Sequence, residues 1–321
     1  MTATLRCAVL DDYQGVALSM ADWSPVADRV EVTAFTEHQA DSEELVAALA
    51  DVDIVVVMRE RTPLPAPVFA RLPRLRLVVT TGMRNSAIDL PAAAAHGVLV
   101  CGTASSPVPP TELTWALILG LARNLAAENA AFHAGGRWQS AVGIELAGRR
   151  LGLLGLGRIG GRVARIGSAF DMDVVAWSQH LSRERTDELG VTLAPSLVEL
   201  LATSDVVSIH LALGERTRGL LGRDELARMR PSAFLVNTSR SAIVDGPALV
   251  DALVQGRIAG AGLDVFDREP LPADDVLRTL PTVLATPHLG YVAVDNYRTY
   301  FREAVEDIAA FLAGTPIRTL S

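Results

Sequence analysis

The chain has 321 residues, enough for about two domains, and half of these residues are hydrophobic. No run approaches the roughly eighteen uninterrupted apolar residues of a membrane span, and the N-terminus lacks an export signal, so we expect no membrane partner and a cytoplasmic location. The net charge of −8 argues against a nucleic-acid partner.

Cysteine and lysine usage narrows the chemistry further. Only Cys7 and Cys101 occur, both in apolar runs, which predicts buried thiols rather than a disulfide framework or a metal cluster. The chain has no lysine, which excludes a Walker-type phosphate lysine and a Schiff-base nucleophile. Cationic chemistry must therefore come from arginine or histidine.

The first hundred residues alternate short apolar runs with helix-like segments, a pattern typical of parallel strands in a small α/β domain. The predicted strands are Leu5–Leu10, Val30–Phe35, Ile54–Met58, Leu75–Thr80 and Val98–Cys101. Asp11 and Asp12 follow the first strand, where their residue type favours turn or helix-cap roles.

A proline cluster at 107–110 separates this domain from the next. Thr111 is predicted to cap the following helix, which ends at the loop Ala134–Trp138. That helix carries a stripe that could be a core face or a dimer seam. The stripe consists of Leu113, Leu117, Leu121 and Leu125.

A second strand series begins at Arg150 and predicts a doubly wound sheet. Its six strands are Leu151–Leu154, Val174–Trp177, Val206–Ile209, Phe234–Val236, Ala261–Val265 and Val283–Ala285. Helical spacing from Asp295 to Leu312 predicts a helix that packs back on the first domain. We therefore predict two Rossmann-like α/β domains. Residues 1–104 and 291–321 form a discontinuous, flavodoxin-like substrate domain, and residues 105–290 form a dinucleotide-binding domain.

The segment Gly155-Leu-Gly-Arg-Ile-Gly160 stands where a predicted strand ends and an amphipathic helix begins. A tight turn needs backbone freedom at Gly155, a pyrophosphate approaches most closely at a residue without a side chain such as Gly157, and close helix packing favours Gly160. The N–H groups of the new helix would face the anion. The context of strand and helix makes this a dinucleotide-binding turn.

Polar residues follow the last predicted strands, where ligands of an open parallel sheet bind. Arg240 can grip a carboxylate through its planar guanidinium, and His288 can exchange a proton near neutral pH. An adjacent carboxylate such as Glu269 would orient the imidazole. These groups suit oxidation of a 2-hydroxy acid or the reverse reduction.

The chain closely resembles the D-isomer-specific 2-hydroxyacid dehydrogenases over nearly its whole length. Four motifs in family order carry the resemblance: Glu145–Gly160, Val236–Asp245, Gly262–Pro270 and Thr286–Gly290. The resemblance implies that Arg240 binds the substrate carboxylate, that Glu269 pairs with the acid/base His288, and that Asp264 contacts the nicotinamide amide. It also implies a homodimer. The implied cofactor-binding residues are Gly155, Gly157, Arg158, Ile159, Gly160, Ser178, His210, Thr238, Asp264 and Gly290.

The resemblance further implies that a first-domain loop offers backbone N–H groups to the substrate across an interdomain cleft. The loop residues are Thr81, Gly82, Met83 and Arg84. Arg84 departs from the family pattern, and it either recognises a second acidic group or forms a surface ion pair. Tyr291 replaces a small residue of many relatives, which predicts an altered pocket roof.

The ribose position also departs from the family pattern. Counting about twenty positions from the first glycine selects Asp173, but this residue begins the next strand and so lies at the wrong end of the sheet. Neutral Ser178 stands at the correct end, and Arg183 or Arg185 is close enough in sequence to approach a 2′-phosphate. The cofactor is therefore predicted to be NAD or NADP, with no preference assigned.

These observations predict an NAD(P)-dependent oxidoreductase that interconverts a small D-2-hydroxy acid and its 2-oxo acid. Glyoxylate or hydroxypyruvate is the expected kind of substrate. The alternative is an NAD(H)-sensing binding protein similar to the corepressors that share this fold. The acidic net charge disfavours that alternative.

Overall fold

The computed structural model describes residues 4–39 and 41–321. The chain divides into two compact units, here called unit 1 (residues up to Ser106 with Val292–Ser321) and unit 2 (Pro107–Tyr291). Each unit is built on a sheet whose strands are all parallel, and the α/β prediction with two Rossmann-like folds is confirmed. Among the described residues, no helix combines the length and the apolar character needed to cross a membrane.

Unit 1 has the strand order β2-β1-β3-β4-β5, which is the flavodoxin-like order. The strands are β1 Leu5–Val9, β2 Val30–Ala34, β3 Ile54–Val57, β4 Leu77–Thr80 and β5 Leu99–Gly102. The first four helices are α1 Ser24–Ala27, α2 Ser42–Leu49, α3 Ala66–Phe69 and α4 Leu90–Ala95. All residues of β3 and β4 are buried, as expected for central strands of a parallel sheet covered on both faces.

Unit 2 has the strand order β12-β11-β10-β9-β6-β7-β8. Its strands are β6 Arg150–Leu154, β7 Asp173–Trp177, β8 Thr192–Leu193, β9 Val206–Ile209, β10 Phe234–Asn237, β11 Gly260–Leu263 and β12 Val283–Ala285. Its helices are α5 Val108–Ala122, α6 Leu125–His133, α7 Gly160–Ala169, α8 Arg183–Asp187, α9 Leu197–Thr203, α10 Arg223–Leu226 and α11 Gly246–Val254. Short 3₁₀ turns occupy Ser241–Ile243 and Val276–Arg278. The sequence-based prediction missed β8, which has only two residues.

Helix α5 differs from its prediction at both ends. It begins at Val108, and the Thr111 hydroxyl donates to the Pro107 carbonyl oxygen at 2.7 Å from inside the first turn, so Thr111 is not the cap. It ends at Ala122 because Asn124 adopts a left-handed conformation with φ of 53°. The predicted leucine stripe is therefore split. Leu117 and Leu121 are buried in the core, whereas Leu125 lies on the exposed side of α6.

The last helix, α12 (Val294–Leu312), returns the chain to unit 1 and packs on β4. It buries Tyr300 and Phe301 completely. After α12, the C-terminal segment pairs with the edge strand β5, since the Gly102 N–H donates to the Arg318 carbonyl oxygen at 3.0 Å. Unit 1 is thus completed by residues from both ends of the chain.

Candidate functional site

The turn between β6 and α7 shows why glycine occupies three of its positions. Gly155 has φ of +98°, and an added Cβ there would lie 2.7 Å from the His210 carbonyl oxygen. An added Cβ at Gly160 would lie 2.1 Å from the Gly155 carbonyl oxygen, whereas one at Gly157 would meet no protein atom within 4 Å. Two glycines therefore permit the close turn, and the third leaves open space beside it.

This open space is lined by donors. Within residues 4–39 and 41–321, the N–H groups of Gly157 and Ile159 donate to no protein atom. They precede α7, a ten-residue helix whose N-terminus favours negative charge. The turn therefore fits the pyrophosphate of a dinucleotide, with donors supplied by the backbone.

Three adjacent strands carry the polar residues predicted for the reaction. Arg240 follows β10, Glu269 follows β11, and His288 follows β12, and these strands are consecutive neighbours in the parallel sheet. Because the carboxyl ends of parallel strands share one edge, the arginine, the carboxylate and the imidazole stand on the same edge of unit 2.

Glu269 and His288 form a direct pair. The Glu269 Oε2 atom lies 2.6 Å from His288 Nδ1, and Glu269 Oε1 accepts from the Phe266 N–H at 2.9 Å. The side chains are only 23% and 15% exposed, so solvent screens the pair weakly. The carboxylate holds the proton on Nδ1, which leaves Nε2 as the imidazole nitrogen for a ligand.

Asp264 organises the loop that bears His288. Its carboxylate accepts from the Thr286 hydroxyl at 2.6 Å and from the N–H groups of Leu289 and Gly290 at 2.7 and 2.8 Å. Burial raises the pKa of Asp264, and these hydrogen bonds partly offset the rise. Both carboxylate oxygens are thus engaged beneath the loop. The nicotinamide contact of Asp264 stays a prediction.

The backbone conformation of His288 and one ring contact further define its position. Its backbone has φ of 53°, a left-handed conformation that is uncommon for a residue with a side chain. The Tyr291 ring packs edge-on against the imidazole, with ring centroids 5.4 Å apart, and Tyr291 is buried. Tyr291 was predicted to alter the pocket roof, and the structure gives it this contact with the imidazole.

Arg240 is half-buried in a loop fixed by Asn237. The Asn237 side-chain amide donates to the Arg240 carbonyl oxygen at 2.9 Å and accepts from the Ser239 N–H at 3.0 Å. Thr238, between them, hydrogen bonds through its hydroxyl to Thr114 of α5 at 2.8 Å. The loop conformation that presents Arg240 is therefore set by neighbouring side chains. Asp245, which accepts from the Ala248 N–H, caps α11 as a local acceptor.

The structure gives the positions of the residues considered for the ribose and its surroundings. Asp173 begins β7 and pairs with Arg150 at the amino end of β6, so it lies away from the glycine turn. Ser178 directly follows β7 at the carboxyl edge and is half-buried. His210 directly follows β9, and burial lowers the pKa of its imidazole to about 4, which keeps the ring neutral at physiological pH.

The predicted substrate loop follows β4 in unit 1. The Thr81 N–H donates to the Val57 carbonyl oxygen at 3.1 Å, and the Gly82 N–H donates to the Thr103 hydroxyl at 3.0 Å. These two N–H groups are therefore engaged within unit 1. In the part of the chain that the structure describes, the N–H groups of Met83 and Arg84 have no protein acceptor, and both residues are exposed.

Sequence reasoning missed Arg59, which supports this loop. Arg59 follows β3, and its guanidinium donates to the Thr81 carbonyl oxygen at 3.0 Å. The same guanidinium fills the space that a side chain at Gly82 would need, with Nη1 2.0 Å from an added Cβ. Arg59 directly follows the predicted strand Ile54–Met58, and this position at the end of a parallel strand is the sequence signal that identifies it.

A histidine pair at the edge of unit 1 was also missed. His38 Nδ1 lies 2.9 Å from Asp11 Oδ1, and Asp11 Oδ2 accepts from the Thr62 hydroxyl at 2.6 Å. The hydrogen bond to Asp11 raises the pKa of His38. Asp12 has the predicted turn role and accepts from the N–H groups of Val16 and Ala17.

Comparison with known proteins places these features in context. A family model described as D-isomer specific 2-hydroxyacid dehydrogenase, NAD binding domain, matches residues 115–290. Glyoxylate reductase from Aeropyrum pernix is 40% identical over 254 residues, which are 76% of each chain. D-3-phosphoglycerate dehydrogenase from Methanocaldococcus jannaschii is 34% identical over 275 residues, which cover 85% of this chain and 52% of that relative.

The chain thus spans about half the length of that phosphoglycerate dehydrogenase. Among solved structures, phosphoglycerate oxidoreductase from Vibrio cholerae superposes with a TM-score of 0.92 at 37% sequence identity. That superposition covers 97% of this chain and 100% of the other.

Proposed function

The chain belongs to the family of D-isomer-specific 2-hydroxyacid dehydrogenases, and from that premise we propose that it is an NAD(P)-dependent enzyme that interconverts a small D-2-hydroxy acid and its 2-oxo acid. The observation that carries the proposal is the Glu269–His288 pair at the strand edge that also bears Arg240. A cation for a carboxylate and an oriented acid/base are the protein groups that this reaction needs.

Each residue has a distinct task in the proposed reaction. Arg240 binds the substrate carboxylate, and His288 Nε2 takes the hydroxyl proton during oxidation or returns it to the carbonyl oxygen during reduction. Glu269 keeps the proton on Nδ1 and stabilises the imidazolium that forms. The nicotinamide cofactor, when bound, supplies the hydride acceptor or donor.

The residues present fit that cofactor. Gly157 leaves the space, and the N–H groups of Gly157 and Ile159 supply donors for the pyrophosphate. Ser178 and His210 stand on either side, at the ends of the strands that flank β6. Arg158, Thr238, Asp264 and Gly290 complete the set that we propose lines the cofactor site.

We propose a small 2-oxo acid such as glyoxylate or hydroxypyruvate as substrate, supported by the glyoxylate reductases among the relatives. Within the described residues the N–H groups of Met83 and Arg84 have no protein acceptor, so we propose these two loop residues, rather than Thr81 and Gly82, as the backbone donors to the substrate. No carboxylate pairs with the Arg84 side chain among the described residues, which favours recognition of a second acidic group over a surface ion pair.

Nicotinamide absorbance, followed with NADH and NADPH against a panel of 2-oxo acids, tests this function. We expect turnover with at least one small 2-oxo acid. Tight cofactor binding without turnover of any acid would favour the alternative, a cofactor-sensing binding protein.

The glycine turn yields a prediction that separates binding from stability. Gly157→Ala places its Cβ in open space, so the free energy of unfolding should change by less than about 1 kcal/mol. Cofactor affinity should fall about tenfold or more, because the added methyl group occupies the space left for the pyrophosphate. Thermal unfolding and fluorescence titration with NADH measure the two quantities.

Gly160→Ala is the matched variant of this pair. Its Cβ would collide with the Gly155 carbonyl oxygen, so we expect a loss of about 1–3 kcal/mol of stability. If Gly157→Ala binds NADH as tightly as the wild type, the turn does not hold the pyrophosphate as proposed.

We also propose that two copies of the chain form a dimer through the surface of α6 and the following loop. Helix α6 contains no buried residue, and two of its large apolar side chains, Leu125 and Phe132, are 56% and 65% exposed. Trp138 and Val142 follow with 79% and 97% exposure. Such a concentration of exposed apolar side chains is typical of an interface, and a second copy is the partner that the family resemblance favours.

Trp138→Glu is expected to weaken this dimer. A buried carboxylate in place of an aromatic side chain should raise the dimer Kd about 30-fold or more. Light scattering coupled to size exclusion, over a dilution series, measures the mass. Val254→Glu, at an exposed position of α11, is the control and should stay dimeric. A wild-type protein that is monomeric at all concentrations would contradict the proposal.

A further inference from the structure

The strand order of unit 2 places two loops around the glycine turn. Strand β6 lies between β7 and β9, so the loops that follow β7 and β9 flank the β6–α7 turn at the carboxyl edge. The loop after β7 begins with Ser178 and includes His180, and the loop after β9 includes Arg216. In this fold, the loop after the second strand lies beside the adenosine ribose.

The two loops are joined by one side-chain contact. Arg216 Nη1 donates to His180 Nε2 at 2.9 Å, and both residues are exposed. Arg216 stands on a tied turn, in which the Gly214 N–H donates to the Thr217 hydroxyl at 2.9 Å and that hydroxyl donates to the Ala212 carbonyl oxygen at 2.7 Å. A fixed backbone therefore directs a guanidinium toward the loop of Ser178.

Of the two arginines suggested by sequence proximity, Arg183 and Arg185, the second is engaged elsewhere. Arg185 Nη1 pairs with Glu188 at 2.6 Å, and its Nε donates to the Leu156 carbonyl oxygen at 3.2 Å. The charge of Arg185 is thus balanced by a carboxylate three residues further along the chain. The hydrogen-bond partner of Arg216 in the described structure is an imidazole nitrogen rather than a carboxylate, which leaves the guanidinium charge available for an anion.

Resting on the function proposed above, we propose that Arg216 and His180 form a subsite for the 2′-phosphate of NADP(H) and that the chain prefers NADP(H) to NAD(H). A phosphate monoester carries about −1.5 to −2 charges near pH 7 and accepts hydrogen bonds strongly. The planar guanidinium of Arg216 matches phosphate oxygens, and the Ser178 hydroxyl can donate to the same group. A carboxylate at position 178 would repel it.

Two nucleotides that differ only in this phosphate test the proposal without any turnover. Calorimetry should show that 2′,5′-ADP binds wild-type protein roughly 10- to 100-fold more tightly than 5′-AMP, as expected for hydrogen bonds to a charged group. Arg216→Gln should bring this ratio near one while the Kd for 5′-AMP stays unchanged. Ser178→Asp should weaken 2′,5′-ADP selectively.

Arg183→Gln and Arg185→Gln are the matched controls, and both should keep the wild-type ratio. Equal wild-type affinity for the two nucleotides would overturn the proposal, as would loss of the ratio in Arg185→Gln alone. Equal weakening of both nucleotides by Arg216→Gln would assign the contact a structural role and overturn it as well. Failure of the proposed reaction appears separately, as normal nucleotide discrimination without turnover of any 2-oxo acid.

Discussion

Replacement of His288 by alanine is expected to lower kcat about 100- to 10,000-fold, because the reaction then lacks its positioned acid/base. The cofactor Kd should stay within about twofold of the wild-type value, since the proposed pyrophosphate donors belong to the β6–α7 turn. Steady-state kinetics with a 2-oxo acid and fluorescence titration with the reduced cofactor measure the two effects.

Glu269→Gln is the matched variant for the pair. Glutamine can still contact Nδ1 but carries no charge, so the imidazolium that forms during oxidation loses stabilisation and kcat should fall. Unfolding curves of both variants check that the loop is retained. Wild-type turnover in His288→Ala would remove His288 from the reaction.

Arg240→Ala is expected to lower kcat/KM roughly 30-fold to several thousand-fold. This factor corresponds to a loss of about 2–5 kcal/mol of transition-state stabilisation. The loss follows because the substrate carboxylate then lacks the guanidinium that is proposed to bind it. Cofactor affinity should be preserved. Parallel measurement of KM, kcat and the cofactor Kd distinguishes these contributions.

Arg240→Lys provides the control for charge without the planar fork. It should recover only part of the lost kcat/KM, because a point charge does not bind both carboxylate oxygens in the same way. An equal loss of substrate and cofactor affinity in Arg240→Ala would contradict the assignment and indicate that the residue supports the sheet edge as a whole.

Local sequence patterns were sufficient for most strands and for the glycine turn. Strands such as β3, with the sequence Ile-Val-Val-Val, are apolar throughout because both faces of a parallel sheet are covered. Gly155 and Gly160 could be interpreted from the turn geometry alone. The break between α5 and α6 could not, because the apolar spacing continues through Asn124 and only its left-handed backbone ends the helix.

Contacts between distant residues were beyond local patterns. Asp11 and His38 are 27 positions apart, and they meet because β1 and β2 are neighbours in the sheet. Arg216 and His180 are 36 positions apart, on loops that flank β6. Strand order, rather than motif spacing, brings such pairs together. The roles assigned to Arg240, Glu269 and His288 stay predictions until the variants are measured.

The split composition of unit 1 governs the order in which the chain can fold during synthesis. Strands β1 to β5 leave the ribosome first. Helix α12, which buries Tyr300 and Phe301 in unit 1, is synthesised only after Pro107–Tyr291. At about 5–20 residues per second, that interval lasts on the order of 10–40 s. Unit 2 is continuous and can complete its core at once. During this interval, the apolar face of unit 1 that α12 later covers is exposed. We expect the nascent chain to be most prone to aggregation, and to depend most on chaperones, in this period.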